Sequence, residues 1–281
     1  VGAKRGIVVW DEVDTRAGRQ LLRIASFSVE NPSEVTPQRT LGSGATDQEM
    51  PQLVTRGSGF WLAWVASVPH PREGAGQAAR IAAKTPQAAP AAVGSGEGAN
   101  EELLDLGNRW IELVALDENA APISTPQAVS ARDRHALVFD LAATSDGGAL
   151  LAWRDDDTTP GVESRIVQLA RVGADGKILR SLIDDDDVGA GVPSLVTGGM
   201  ADASAWLALE SVAQETRLAA LGPSGSVLDE LGAEPAVGNA DVLALREGRL
   251  LVGRPRGLAT ELFVLTCKPG APKATPSTAG R

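Results

Sequence analysis

Short apolar runs, each too brief for a typical helix and each bounded by turn residues, recur along the whole chain, and no other property limits the fold as strongly. The plainest instance is 146–183. There Ala149-Leu-Leu-Ala-Trp153 is followed by an acidic loop containing Pro160-Gly161, then by Arg165-Ile-Val-Gln-Leu-Ala-Arg-Val172, then by an Asp175-Gly176 turn and a third run ending at Ile183. Three such runs separated by turns read as an antiparallel meander. A fainter copy lies at 203–231, where Ala205-Trp-Leu-Ala-Leu209 precedes Thr216-Arg-Leu-Ala-Ala-Leu221, a Gly222-Pro-Ser-Gly225 turn and Val227-Leu228.

Other copies add a strand in front. Met50-Pro-Gln-Leu-Val-Thr55 leads through the hairpin signal Arg56-Gly-Ser-Gly59 into Phe60-Trp-Leu-Ala-Trp-Val-Ala66, and Val192-Pro-Ser-Leu-Val-Thr197 matches that leading run closely. In both, Pro stands where a strand starts and its missing donor is tolerated. The sequence therefore predicts blade-like units at 4–42, 50–128, 135–183, 192–232 and 239–268, with 270–281 a Pro/Ala/Thr/Ser tail. The first unit has no leading strand, which leaves the array incomplete at the N-terminus. The second is interrupted by an Ala/Gly/Pro-rich insertion, 68–108, far longer than the connections usual in compact folds. A rival reading joins Leu103, Leu106, Trp110, Leu113 and Val114 into one amphipathic helix.

Composition fits many strands and turns: 31 Gly and 17 Pro accompany 4% aromatic residues. Arg109, Arg165 and Arg217, each at the start of a third-position run, recur at intervals of about 50 residues, the upper range of blade-sized repeats. Four-stranded units repeated in this way resemble β-propeller repeat proteins, and the resemblance runs from residue 4 to about 268. It implies an all-β propeller of about five four-stranded blades over residues 1–269. Thr144-Ser-Asp146-Gly-Gly148 resembles the polar-x-Asp-x-Gly core of the Asp-box in sialidase-like propellers. It has Leu151 where that motif has an aromatic, lies between first and second strands, and is equally accounted for by an Asx-type hairpin turn.

If the units are blades, loops between second and third strands share one rim with the loops joining consecutive blades. Acidic residues gather in those loops: Asp11, Glu12 and Asp14; Asp47 and Glu49; Asp155, Asp156 and Asp157; Asp184, Asp185, Asp186 and Asp187; Glu210. An acidic interaction face is expected there. The runs Asp155–Asp157 and Asp184–Asp187 supply oxygen ligands of the kind calcium takes, without the alternating spacing that directs successive carboxylates at one ion. No other cofactor is expected. Of the two histidines, His70 falls in the insertion and His135 ahead of a strand, an arrangement that suggests neither a metal pair nor a catalytic relay.

A formal charge of -10 argues against nucleic acid as partner, and no apolar run is long enough to span a membrane. Absence of an initiating Met and the Pro/Ala/Thr tail point to an extracytoplasmic location. The recurring Trp10, Trp64 and Trp153, and Trp61 with Trp206, mark packing between units. Together these features predict a non-enzymatic protein-interaction or structural module, bound to protein partners within a surface assembly. The alternative is a carbohydrate-active or sugar-binding propeller whose carboxylates stand on the leading strands, where Asp140 and Asp241 are the candidates.

Overall fold

In the computed structural model every regular element among the described residues is a β-strand, and the all-β class is as expected. The described residues are 5–14, 18–31, 33–41, 45–68, 108–155, 166–184, 191–197, 205–210, 216–222, 227–231, 241–244, 249–256 and 259–266. Their strands form five antiparallel sheets, and in each the spatial order equals the chain order. By packing, the chain divides into two compact units, Val1–Val138 with Asp155–Ser164, and Phe139–Arg154 with Arg165–Arg281.

In the first unit, β1 (Arg5–Asp14) pairs with β2 (Arg19–Ser28), which pairs in turn with the short β3 (Arg39–Leu41). The second sheet is β4 (Asp47–Arg56), β5 (Gly59–Ser67), β6 (Arg109–Leu116) and β7 (Gln127–Ala128). The β4–β5 hairpin turns at Gly57, whose φ of 52° is in the left-handed region that glycine adopts without a Cβ penalty. β5 is buried from Gly59 to Ala66, so both its faces are apolar and the period-2 signal disappears. The rival helix is excluded because Arg109–Leu116 is the strand pairing with β5; Leu103 and Leu106 lie outside the described residues. Ser67 pairs with Arg109, so the segment joining β5 to β6 leaves and returns at one point of the sheet.

The second unit contains β8 (Ala136–Ala143), β9 (Ala149–Asp155), β10 (Ile166–Val172) and β11 (Ile178–Asp184), the unit boundary passing through β8. It continues with β12 (Ser194–Val196), β13 (Ala205–Glu210), β14 (Thr216–Leu221) and β15 (Val227–Leu231), then β16 (Asp241–Ala244), β17 (Arg249–Arg256) and β18 (Ala259–Thr266). β17 runs on through Gly253–Arg256, because these residues pair with Ala259–Leu262.

Each unit buries its own core between sheets. In the first, Leu22, Ile24 and Leu41 of one sheet meet Phe60, Leu62, Trp64, Trp110, Val114 and Leu116 of the next. In the second, Leu150, Ala152 and Leu169 meet Leu195, Leu207, Leu209 and Leu221. Each fully buried large apolar side chain contributes about 1.5–3 kcal/mol. Trp64 and Trp153 are buried, whereas Trp10 is half-buried on β1 opposite Arg23.

Candidate functional site

Four of the carboxylates that the sequence marked, Asp47, Glu49, Asp140 and Asp241, stand on leading strands. On β8, Asp140 accepts hydrogen bonds at Oδ2 from the Leu195 backbone N–H (2.6 Å) and the Ser194 hydroxyl (3.3 Å), and at Oδ1 from the Leu141 N–H (2.9 Å). It thus ties the leading strand of one sheet to the leading strand of the next and is held in place by both. β12 also lies beside β16, whose first residue is Asp241. The two acids therefore stand on strands that each adjoin β12.

In the sheet β4–β7 the leading strand is β4. Asp47 Oδ1 accepts the Gln20 N–H at 3.0 Å, and buried Gln48 presents Oε1 to the Leu22 N–H at 3.5 Å, so the start of β4 caps the backbone of β2 beyond the short β3. Glu49 forms an ion pair with Arg109, Oε2 to Nη2 at 2.7 Å, their side chains 26% and 11% exposed. Arg109 is fixed from the backbone as well: its N–H donates to the Arg134 carbonyl at 3.1 Å and it bridges to buried His135. Among the described residues Arg109 Nε is buried without a partner. The β4–β5 register slips between Glu49 and Gln52, and at this bulge Met50 has φ 54° and is 40% exposed. Pro51, expected at a strand start, instead occupies the bulge, where the ladder is already interrupted.

A second Arg–carboxylate pair closes the β8–β9 hairpin. Asp146 Oδ1 accepts from the Thr144 hydroxyl at 2.6 Å and the Gly148 N–H at 3.2 Å, while Oδ2 pairs with Arg171 of β10. Arg171, nearly buried, also donates to the Val172 carbonyl at 2.6 Å. The Thr144 hydrogen bond holds the Asp146 carboxyl below the usual carboxylate range, opposed by desolvation and assisted by Gly148 and Arg171. A Cβ at Gly148 would run into the Val172 carbonyl and the Arg171 guanidinium, so only glycine lets the hairpin close on β10. This is the Asx-turn account of Thr144–Gly148, with a cross-strand arginine that the motif did not announce.

The other marked residues are placed as follows. Asp11, Glu12 and Asp14 lie within β1, not in a loop. They pair across with Leu22, Leu21 and Arg19, Asp11 accepts from Gln20 Nε2 at 2.8 Å, and Glu12 stands 3.3 Å from Arg23. Cross-strand polar partners make an acidic strand end tenable. Asp47 and Glu49 likewise belong to a strand. Asp155, Asp184 and Glu210 are the last residues of β9, β11 and β13, and Asp156, Asp157, Asp185, Asp186 and Asp187 lie outside the described residues. Among the described residues no helix is long and apolar enough to cross a membrane. Sequence reasoning missed Arg109 and Arg171 as partners, and no local signal connects either to an acid 60 or 25 residues away.

No family model and no curated protein matches the sequence. Solved structures do match the fold. The GH93 α-L-arabinofuranosidase of Fusarium graminearum, in complex with arabinobiose, aligns with TM-score 0.52 and 9% identity over 93% of this chain and 72% of that one. The polysaccharide lyase Uly1 aligns with TM-score 0.50 and 10% identity over 93% of this chain and 56% of its own. At such identities the likeness shows the fold, a β-propeller. It also corrects the functional expectation. These two are carbohydrate-active enzymes, so the expectation of a non-enzymatic interaction or structural module is not supported and its carbohydrate-active alternative is the one taken up below as a proposal.

Proposed function

We propose that this chain is a carbohydrate-active β-propeller that cleaves a glycan with carboxylates on its leading strands. The observation that carries the reading is the likeness of 93% of the chain to an arabinofuranosidase and to a polysaccharide lyase. Asp140 and Asp241, the two acids on strands adjoining β12, supply the chemistry. Glycoside cleavage needs one carboxyl to protonate the leaving oxygen and another to face the positive charge that develops on the sugar ring. Asp140 suits the second role, because donors from two strands fix its oxygens in advance of the reaction. Asp241 then takes the proton-donor role. An extracytoplasmic location accords with a glycan target.

The test is chromatographic detection of products after incubation with arabinobiose and with a panel of neutral and uronic-acid oligosaccharides. Cleavage of at least one member is expected, with kcat lowered about 100-fold or more in Asp140→Asn and in Asp241→Asn and KM little changed. A wild-type protein that neither cleaves nor binds any saccharide, or variants as active as wild type, would sink the reading.

A further inference from the structure

We infer that Glu49 and Arg109, with the adjoining Met50, form a recognition subsite for the hydroxyl groups of a neutral sugar. The inference rests on the carbohydrate-active reading. Three observations point to it. First, the pair sets an acceptor and a donor side by side at 2.7 Å, and among the described residues Arg109 uses only Nη2 of its side-chain donors. A guanidinium has five N–H groups; Nε is itself buried, so the donors on the η nitrogens are the ones that would meet a ligand. Vicinal sugar hydroxyls both donate and accept, so one gives its proton to Glu49 while its neighbour receives one from Arg109, each bond strengthened by the charge.

Second, the pair is only partly enclosed, the Glu49 side chain being 26% exposed, and the next residue along the strand, Met50, is 40% exposed. A sugar offers a hydroxyl edge to the first and a C–H face to the second. Third, Met50 is a non-glycine residue at φ 54° inside a strand bulge. Glycine would fit that backbone better, so the bulge holds a side chain at a strained position of the kind that clusters at functional sites. Arg109 is anchored at its own backbone through Arg134 and His135, so it is positioned without a ligand.

The experiment measures saccharide affinity calorimetrically, using the oligosaccharide from the panel that wild type binds best, together with melting temperature. Glu49→Gln and Arg109→Lys are each expected to raise Kd about 10-fold, the loss of one charge-assisted hydrogen bond, with kcat unchanged. Met50→Gly, which relieves the backbone and so stays folded, is expected to raise Kd about threefold by removing the apolar contact. Unchanged Kd in the three variants overturns the subsite and leaves the pair a structural ion pair, whatever happens to the melting temperature. If Glu49→Gln and Arg109→Lys do not fold, Met50→Gly decides: a Kd equal to wild type overturns the proposal. A wild-type protein that binds no saccharide removes the carbohydrate reading and the subsite together, whereas cleavage that is lost in Asp140→Asn with unaltered binding in the Glu49 variant removes the subsite alone.

Discussion

Two Arg–carboxylate pairs of similar make-up, one in each unit, are bonded very differently. Around Asp146 every group is spoken for: the carboxylate takes Thr144, Gly148 and Arg171, and Arg171 reaches on to the Val172 carbonyl. Around Glu49 the pair has one bond, a buried Nε without a partner among the described residues, and a strained, exposed Met50 alongside. The closed pair fastens a hairpin to the third strand of its sheet. The open pair leaves side-chain donors without a partner among the described residues, and the proposed subsite rests on that difference. An ion pair therefore has to be judged by the donors and acceptors it leaves over, more than by its distance.

The comparison can be broken by measurement. The largest expected effect is on the strand that the closed hairpin feeds: Trp153→Ala in β9, at a site 2% exposed, should cost about 3–5 kcal/mol in urea unfolding, and an unchanged midpoint would remove Trp153 from the core. Next, Arg171→Ala should cost about 2 kcal/mol by removing the bonds to Asp146 and to the Val172 carbonyl and loosening the hairpin, against about 1 kcal/mol or less for Glu49→Gln. Equal losses would erase the distinction between brace and site. Met50→Gly should stabilise the protein by roughly 0.5–1 kcal/mol, because glycine adopts a positive φ without a Cβ clash; a lower melting temperature would show that the Met50 side chain packs more than it strains. The smallest effect is on acid stability. The folded Asp146 carboxyl titrates below its unfolded value, so its contribution is complete above the ordinary Asp pKa and disappears as pH falls through the lowered one. Asp146→Asn and Thr144→Val should both flatten that acid limb of the unfolding curve, and a limb that keeps its slope would assign it to other carboxylates.

The strands were legible because their signals are local. The apolar runs Phe60–Ala66 and Ala149–Trp153 fall within β5 and β9, and the Asp175-Gly176 turn is where the sequence put it, with Gly176 at φ 84°. Turn chemistry and short apolar runs act over a few residues, so they can be read without knowing the fold. Charge misled. Asp11–Asp14 looked like a loop because carboxylates disfavour strands, yet Gln20 and Arg23 across the hairpin satisfy them. Glu49 looked like a connection for the same reason, and the bulge at Met50 and Pro51 was invisible because a one-residue slip leaves no mark on composition.

From its own residues the chain dictated an all-β class, the positions of most hairpins, and the aromatic anchors of the cores, all consequences of side-chain period and turn geometry. Which acids act together was left to the tertiary structure: Asp140 meets Leu195 across 55 residues and Glu49 meets Arg109 across 60. Electrostatic and hydrogen-bond partnerships depend on distance in space, and only the packing of one sheet against the next turns remote positions in the chain into neighbours a few ångströms apart.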